Sequence, residues 1–230
     1  MLETKNLSKS FYKSNIFKQD IMKYTILDNI SFKVYPGDSI ALIGKNGAGK
    51  TTLLKTLSGL ISQDTGEIII DKWTKLSSVN TNERSFFWRL SVFENLSFFS
   101  SFEKIDKNKI LEVLQIFSLD KKIDSPYMHL SSGERKKVSI ARSLLKNANL
   151  LLFDEATSSL DVTSKRLFTD TIKSLLDKNI ISAVIFSTHS LHEVLSLSNK
   201  ILLIDNGTII QQKSTSEFKT VDDLINLYDS

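Results

Sequence analysis

The sequence contains no cysteine, and this absence removes several kinds of chemistry. Disulfide bonds, catalysis by a thiol nucleophile and metal sites built on cysteine all need this residue. Long hydrophobic runs are also lacking: uninterrupted ones such as residues 150–153 and 183–186 span only a few positions. A membrane-spanning helix needs about 20 apolar residues. Any work at a membrane would therefore depend on a partner protein.

A strong excess of either charge is lacking as well. The 30 lysine and arginine residues exceed the 26 aspartate and glutamate residues only slightly, which gives a net charge of +4. The basic residues are scattered, whereas nucleic-acid-binding proteins gather them on one face. We therefore expect no nucleic acid among the partners. With 230 residues, 41% of them hydrophobic, the chain is long enough to bury a core.

Short apolar runs recur along the chain and predict buried strands. They lie at residues 30–34, 40–43, 150–153, 183–186 and 201–204. The later runs alternate with stretches of helical character, which is typical of a parallel α/β sheet covered on both faces. The middle of the chain, between the early and late strands, reads mostly as helix and predicts a helical insertion into this core.

A glycine-rich segment follows the strand predicted at residues 40–43. It reads GKNGAGKT over residues 44–51 and fits the phosphate-binding P-loop at every position. Glycines let the backbone turn tightly toward phosphate oxygens, and the helix that follows offers its positive end to the same anion. The alternative, a glycine turn that only joins a strand to a helix, leaves the match unexplained. The expected nucleotide contacts are Gly44, Lys45, Asn46, Gly47, Ala48, Gly49, Lys50, Thr51 and Thr52.

Two acidic residues, Asp154 and Glu155, follow the strand predicted at residues 150–153. A buried parallel strand delivers its last residues to the sheet edge where ligands bind. Asp154 is placed to hold Mg²⁺ through water, and the Thr51 hydroxyl is expected to bind the same ion. Glu155 is placed to act as general base on the attacking water. Lys50 is expected to reach the β- and γ-phosphates. Taken alone, the acidic pair is equally compatible with a solvated turn, but the P-loop upstream disfavours that interpretation.

The segment LSSGE at residues 130–134 narrows the class of protein. It resembles the LSGGQ signature of ABC ATPases, and the sequence RKKVSIARSLL that follows is similar to the helix of that family. By itself the segment is an ordinary helix N-cap, but it lies about 20 residues before Asp154, where the family places it. The resemblance implies that this helix start faces the γ-phosphate held by a partner's P-loop. The residues concerned are Ser131, Ser132, Gly133 and Glu134.

Three further elements are similar to ABC ATPases. Asp161 resembles the aspartate of the loop that crosses the dimer interface toward the nucleotide. His189 resembles the histidine that contacts the γ-phosphate. Phe11 stands where the family places an aromatic ring against adenine, with Tyr12 as the alternative, and either ring is also compatible with core packing.

The sequence departs from the family pattern between the P-loop and the signature. ABC ATPases usually have a glutamine there that serves Mg²⁺ and the membrane partner. The best match here is Asn82, with Glu83 as the alternative. Asparagine keeps the carbonyl acceptor but is one methylene shorter, which puts direct contact with the metal in doubt. In the signature, Ser132 replaces a glycine and Glu134 replaces a glutamine, and neither change removes a backbone donor.

The resemblance extends over nearly the whole chain and implies a fold and an activity. We expect a single nucleotide-binding domain over residues 1–230, of α/β class. It would have a RecA-like P-loop NTPase core, an antiparallel β subdomain and a helical signature subdomain near residues 82–148. The resemblance implies binding of ATP and Mg²⁺ and hydrolysis of ATP, with Glu155, His189 and Lys50 as catalytic residues. The expected Mg²⁺ ligands are Thr51, Asp154 and Asn82.

The resemblance also implies partners. A second nucleotide-binding domain and a membrane-spanning permease are expected, which would place the chain at the cytoplasmic face of a membrane. The run at residues 83–96 is similar to ABC-2 type exporters of drugs, polysaccharides or lipids, so export is expected. One alternative is a soluble ABC ATPase of an assembly machinery, such as that for iron–sulfur clusters. Another is a P-loop kinase or GTPase, which would leave the signature and His189 without a role.

Aromatic residues are concentrated just after Asn82. A helical subdomain this small is not expected to bury all of them, and exposed apolar clusters usually mark binding surfaces. We therefore expect a docking surface for the permease here, although each ring taken singly is more compatible with the core. The seven rings are Phe86, Phe87, Trp88, Phe93, Phe98, Phe99 and Phe102.

Overall fold

The computed structural model describes residues 1–14, 21–79, 85–101 and 105–229. Its strands are β1 (Leu2–Ser14), β2 (Ile21–Val34), β3 (Ser39–Ile43), β4 (Thr65–Ile70), β5 (Leu76–Ser78), β6 (Leu150–Asp154), β7 (Ala183–Ser187), β8 (Lys200–Asp205) and β9 (Thr208–Ser214). Its α-helices are α1 (Lys50–Leu57), α2 (Val92–Ser101), α3 (Lys107–Ile116), α4 (Ser132–Leu145), α5 (Val162–Asp177), α6 (Leu191–Leu197) and α7 (Val221–Asp229).

The strands form two sheets of different kinds. In the smaller sheet, β1 pairs antiparallel with both β2 and β4. The larger sheet has the order β5-β6-β7-β3-β8-β9, and its neighbours pair in parallel except for β9, which runs antiparallel to β8. The predicted α/β class, a parallel P-loop NTPase core with an antiparallel β subdomain, is confirmed.

The central strands distribute their side chains between two hydrophobic cores. Ala41 and Ile43 of β3 face one core, which also contains side chains from α2 to α7. Ile40 and Leu42 face the other core, which contains residues of α1 and of the smaller sheet. Successive side chains of a strand point to opposite faces, so both faces of this sheet are covered. This explains why the central strands are continuous apolar runs and not alternating ones.

Helices α2, α3 and α4 belong to the predicted helical region and pack against one another. Ile110 and Leu114 of α3 are buried between them, as the helical spacing of these residues predicts. The start of α4 is fixed by Ser131, whose hydroxyl accepts the backbone N–H of Glu134 in a capping box. Within the described residues, no helix has the length and apolar character needed to span a membrane.

The topology brings several chain segments to one edge of the larger sheet. Strands β6, β7 and β3 are neighbours and run in parallel, so their carboxyl ends lie side by side. The glycine-rich loop leaves β3, Asp154 ends β6, and Ser187 ends β7. Ligands of parallel α/β sheets bind at this edge, so the fold assembles a candidate site there.

Candidate nucleotide-binding site

The loop between β3 and α1 has a backbone that only glycine accommodates at two positions. Gly44 has φ +148°, and a Cβ atom there would lie 2.1 Å from the carbonyl oxygen of Ile204. Gly49 has φ +108°, and its Cβ would lie 2.8 Å from the carbonyl oxygen of Ile26. Side chains at these positions would meet backbone atoms that have little room to move. The glycines therefore let the loop fold closely against β2 and β8.

Lys50 is buried at the start of α1, and its ammonium group turns back into the loop. Its Nζ donates to the carbonyl oxygen of Gly44 at 2.6 Å and to that of Lys45 at 3.0 Å. Burial lowers the pKa of Lys50 below that of an ordinary lysine, while the charges of Glu155 and Asp154 oppose this shift. A phosphate bound beside this ammonium would favour its charged form.

A cluster of oxygen atoms lies at the end of β6. Asp154 Oδ1 accepts from the Thr51 hydroxyl at 3.1 Å and from the Ser187 hydroxyl at 2.7 Å. Carboxylate and hydroxyl oxygens are the protein ligands that suit Mg²⁺ beside a nucleotide. The donor set of Thr51 and Asp154 thus fits this ion. Asn82 and its alternative Glu83 lie outside the described residues.

Glu155 and His189 approach each other from neighbouring strands. The backbone N–H of Glu155 bonds to Ser187, both to its carbonyl oxygen at 3.2 Å and to its hydroxyl at 3.0 Å. Glu155 has φ +46°, a left-handed conformation that is uncommon for residues other than glycine. Its Oε1 lies 2.9 Å from His189 Nε2. Two of the three residues predicted to be catalytic, Glu155 and His189, are therefore in direct contact.

A cavity of about 310 Å³ lies over the glycine-rich loop. Phe11 of β1 contributes its ring, which is 42% exposed and has Lys9 Nζ 5.5 Å from its centroid. Tyr12, the alternative aromatic, is not among the lining residues. Most of the residues predicted from the loop are brought together with Phe11 and Glu155. The lining consists of Phe11, Ile26, Asn46, Gly47, Gly49, Lys50, Thr51, Thr52 and Glu155.

The signature residues do not line this cavity within the chain. Ser131 and Glu134 form the capping box of α4, with Ser131 N–H donating to Glu134 Oε2 at 2.8 Å. Asp161 also caps a helix, since its Oδ1 accepts the N–H of Ser164 at the start of α5. The bonds of Ser131 and Glu134 match the helix-cap interpretation of the signature segment. Residues 131–134 and Asp161 could therefore contact a nucleotide only if it were bound by a second chain.

Two residues of the site were not predicted from the sequence. Ser187 bonds both Asp154 and Glu155, and the only signal for it was a hydroxyl residue at the end of a buried run. Ile26 lines the cavity from β2, and nothing in its sequence neighbourhood distinguishes it. His189, which was predicted, does not line this cavity, but with Glu155 it lines a second cavity of about 250 Å³.

The fold and this site define a P-loop nucleotide-binding protein, with a glycine-rich loop, a buried lysine and an acidic strand end at one sheet edge. Comparison with family profiles makes the class specific: the profile described as "ABC transporter" matches residues 27–158. The chain belongs to the ABC transporter family.

Individual relatives agree with this membership. The ribose import ATP-binding protein RbsA of Caldanaerobacter subterraneus subsp. tengcongensis is 32% identical over 247 residues, covering 99% of this chain and 47% of the relative. The spermidine/putrescine import ATP-binding protein PotA of Mannheimia succiniciproducens is 31% identical over 222 residues, covering 91% of this chain and 59% of the relative. The chain thus spans less than two thirds of the length of these relatives.

Solved structures share the fold. One is cbiO1 from Clostridium perfringens, described as part of the ABC transporter complex cbiONQ. It has a TM-score of 0.81 and 22% identity, and the alignment covers 98% of this chain and 94% of cbiO1. At this identity, the likeness supports the α/β cassette fold alone.

The relatives correct one expectation from the sequence. Residues 83–96 suggested an ABC-2 type exporter, but both relatives are named as import proteins. The expectation of export is therefore not supported by these relatives. The alternative of a soluble assembly ATPase is not favoured either, because both names describe transport proteins.

Proposed function

We propose that this chain is the ATP-binding and ATP-hydrolysing subunit of an ABC transporter, acting with a separate membrane permease. The observation that supports it best is the cavity in which Lys50, Thr51 and Glu155 meet over the glycine-rich loop. A phosphate chain there would face a buried ammonium on one side and a general base on the other. In this proposal residues 1–230 form a single nucleotide-binding domain at the cytoplasmic face of the membrane.

Each part of MgATP has a group in the site that suits it. Lys50 binds the β- and γ-phosphates, and the loop from Gly44 to Gly49 surrounds the phosphate chain. Thr51 and Asp154 would hold Mg²⁺, and the bound ion would neutralise phosphate charge. The half-exposed ring of Phe11 stacks on adenine, with the cation of Lys9 on the same strand.

The hydrolytic step follows from the position of Glu155. Its carboxylate accepts a proton from water as the water oxygen bonds to the γ-phosphorus and the bond to the bridging oxygen breaks. His189 contacts Glu155 Oε1 at 2.9 Å and thereby orients the carboxylate toward the phosphate. Ser187 fixes the backbone N–H of Glu155, so that the carboxylate projects from a held main chain.

The signature acts in trans in this proposal. Residues 131–134 start a helix of 14 residues, and a helix start attracts anions. They do not line the cavity of their own chain. A second copy, or a similar domain, would bring its signature helix and its Asp161 loop to the γ-phosphate held by Lys50.

The proposed activity predicts phosphate release from ATP that depends on Mg²⁺. Hydrolysis by the purified chain is expected to stop when EDTA removes the metal and to recover when Mg²⁺ is restored. The readout is phosphate release over time, with AMP, which has no phosphoanhydride bond, as the negative control. Release that continues unchanged in EDTA would contradict the roles given to Thr51 and Asp154.

The permease-docking surface is smaller than the sequence indicated. Phe86 is buried in the core, and Phe93 and Phe99 pack against it. Phe87, Trp88 and Phe98 remain 42–45% exposed, with the rings of Phe87 and Phe98 in edge contact at 4.8 Å. We name these three residues the aromatic patch. Phe102 lies outside the described residues.

The aromatic patch suits a short cytoplasmic helix of the permease. Exposed aromatic clusters are enriched at interface hot spots, and a helix can place its apolar face on them. The patch is also connected to the signature helix, because the Arg135 guanidinium of α4 lies 4.7 Å from the Trp88 ring centroid. A permease helix bound at the aromatic patch would therefore lie next to α4, the helix whose start completes the nucleotide site of the partner chain in this proposal.

Phe87→Ala and Phe98→Ala are each expected to weaken capture of the permease by about tenfold, a hot-spot effect. ATP binding should stay unchanged, because neither ring lines the nucleotide cavity. The measurement is a pull-down of the permease in detergent beside an ATP-binding titration. Trp73→Ala is the matched control, since Trp73 is 76% exposed and lies between β4 and β5. Loss of folding in both variants, or unchanged capture, would contradict the docking surface.

A further inference from the structure

We propose that Glu193 is a positioning residue that holds the segments of Glu155 and His189 together. The proposal rests on the proposed ATPase function and adds a residue to its site. Glu193 lies in the first turn of α6 and does not line the nucleotide cavity. It acts through two threonine hydroxyls, one from each catalytic segment.

The contacts of Glu193 converge on one oxygen atom. Its Oε2 accepts the Thr157 hydroxyl at 2.8 Å and the Thr188 hydroxyl at 2.5 Å. Thr157 follows Glu155 by two residues, and Thr188 directly precedes His189. All three bonded residues are buried. A single carboxylate oxygen thus joins the chain after β6 to the chain after β7.

Burial makes these bonds strong determinants of local geometry. A carboxylate taken out of water must be satisfied by donors, and hydrogen bonds to a charged acceptor are short and strong. Thr188 is fixed further, because its hydroxyl oxygen also accepts the N–H of Ser190 at 3.0 Å. Movement of either segment would leave the buried carboxylate with one donor fewer.

Glu193 supplies the second of two connections between the catalytic segments. The first is Ser187, which bonds both Asp154 and Glu155 at the strand ends. Glu193 joins Thr157, two residues after Glu155, to Thr188, which lies between Ser187 and His189. With both connections present, the segments that bring Glu155 Oε1 within 2.9 Å of His189 Nε2 are joined at two points. Without Glu193, the two side chains would sample wider separations, and catalysis is sensitive to such displacement.

The test compares variants that remove the connection with one that keeps it. Glu193→Ala is expected to lower kcat at least about tenfold while the KM for ATP changes less than about twofold. Glu193→Gln keeps a carbonyl oxygen able to accept both hydroxyls, so its kcat should stay within about threefold of wild type. The readout is steady-state phosphate release over a range of ATP concentrations, with thermal melting of each variant.

Thr188→Val removes one of the two bonds with little change in shape and tests the route through His189. It should lower kcat in the wild-type background but by less than about twofold in a His189→Ala background, since coupled residues are not additive. Thr215→Val is the matched control. Thr215 is also buried, and its hydroxyl forms a 2.9 Å hydrogen bond with the Ser198 hydroxyl outside the site. The Thr188→Val variant also keeps the proposal testable if Glu193→Ala fails to fold.

Two results would overturn the inference. One is a Thr188→Val effect that is the same in both backgrounds, and the other is a Glu193→Ala enzyme with wild-type kcat. A purely structural role would lower the melting temperature in Glu193→Ala and Thr215→Val alike without a selective change in kcat. Absence of ATP hydrolysis by the wild-type chain is a different outcome, which would contradict the proposed function itself.

Discussion

Replacing Glu155 with glutamine is expected to slow ATP hydrolysis by a factor of about 10² to 10⁴, the usual effect of losing a general base. ATP affinity should stay near the wild-type value, because glutamine has the same shape and keeps an acceptor oxygen. The structure supports this role, since Glu155 follows β6, lines the cavity beside Lys50 and contacts His189. Phosphate release at saturating ATP and equilibrium ATP binding measure the two quantities.

Glu112→Gln is the matched control for this substitution. Glu112 is an exposed carboxylate on α3 that pairs with Lys109. Its replacement with glutamine is therefore the same chemical change made outside the site. A wild-type rate of ATP hydrolysis in Glu155→Gln would show that Glu155 is not the general base. Loss of ATP binding along with hydrolysis would instead assign Glu155 to nucleotide or metal binding.

The parts of the site that lie within one chain segment could be predicted from the sequence. The P-loop is contiguous, and its glycines are required by backbone geometry at Gly44 and Gly49. Asp154 and Glu155 were predicted because a short apolar run indicates a buried parallel strand, whose end is a ligand site. The strands at residues 40–43, 150–153 and 183–186 were predictable for the same reason.

Contacts between segments could not be predicted, because they depend on sheet order. Nothing in the sequence states that β6 and β7 are neighbours, and the bonds of Ser187 and Glu193 follow from that pairing. The roles of these two residues therefore emerge only when the sheet is assembled. His189 could be placed from its resemblance to the family, but its distance from Glu155 could not.

Which of the aromatic residues are exposed could also not be predicted from the sequence. Phe86 stacks on Tyr127 at 4.6 Å, and the Arg142 guanidinium lies 4.8 Å from the Phe86 ring and 4.6 Å from the Phe99 ring. These contacts bury rings that the sequence does not distinguish from Phe87 and Phe98. Burial lowers the pKa of Arg142 below that of an ordinary arginine.

Mixing two inactive variants is expected to restore ATP hydrolysis if the signature acts in trans. Lys50→Ala removes the phosphate-binding ammonium, and Ser131→Arg blocks the helix start that would face the partner's γ-phosphate. In a mixed dimer one composite site has both defects and the other has none. With random pairing and independent sites, a 1:1 mixture should show about a quarter of wild-type activity.

The control for this experiment separates blocking from loss of the helix cap. Ser131→Ala also removes the hydroxyl that accepts Glu134 N–H, a change that costs about 1 kcal/mol of stability, but it leaves the helix start open. Ser131→Ala should therefore retain much more activity than Ser131→Arg. Mixed dimers are verified by differently tagged chains before phosphate release is measured. Because residues 131–134 do not line the cavity of their own chain, the mixture should exceed the activity of either variant alone. A verified mixture as inactive as its components would mean that the signature does not complete the partner's site.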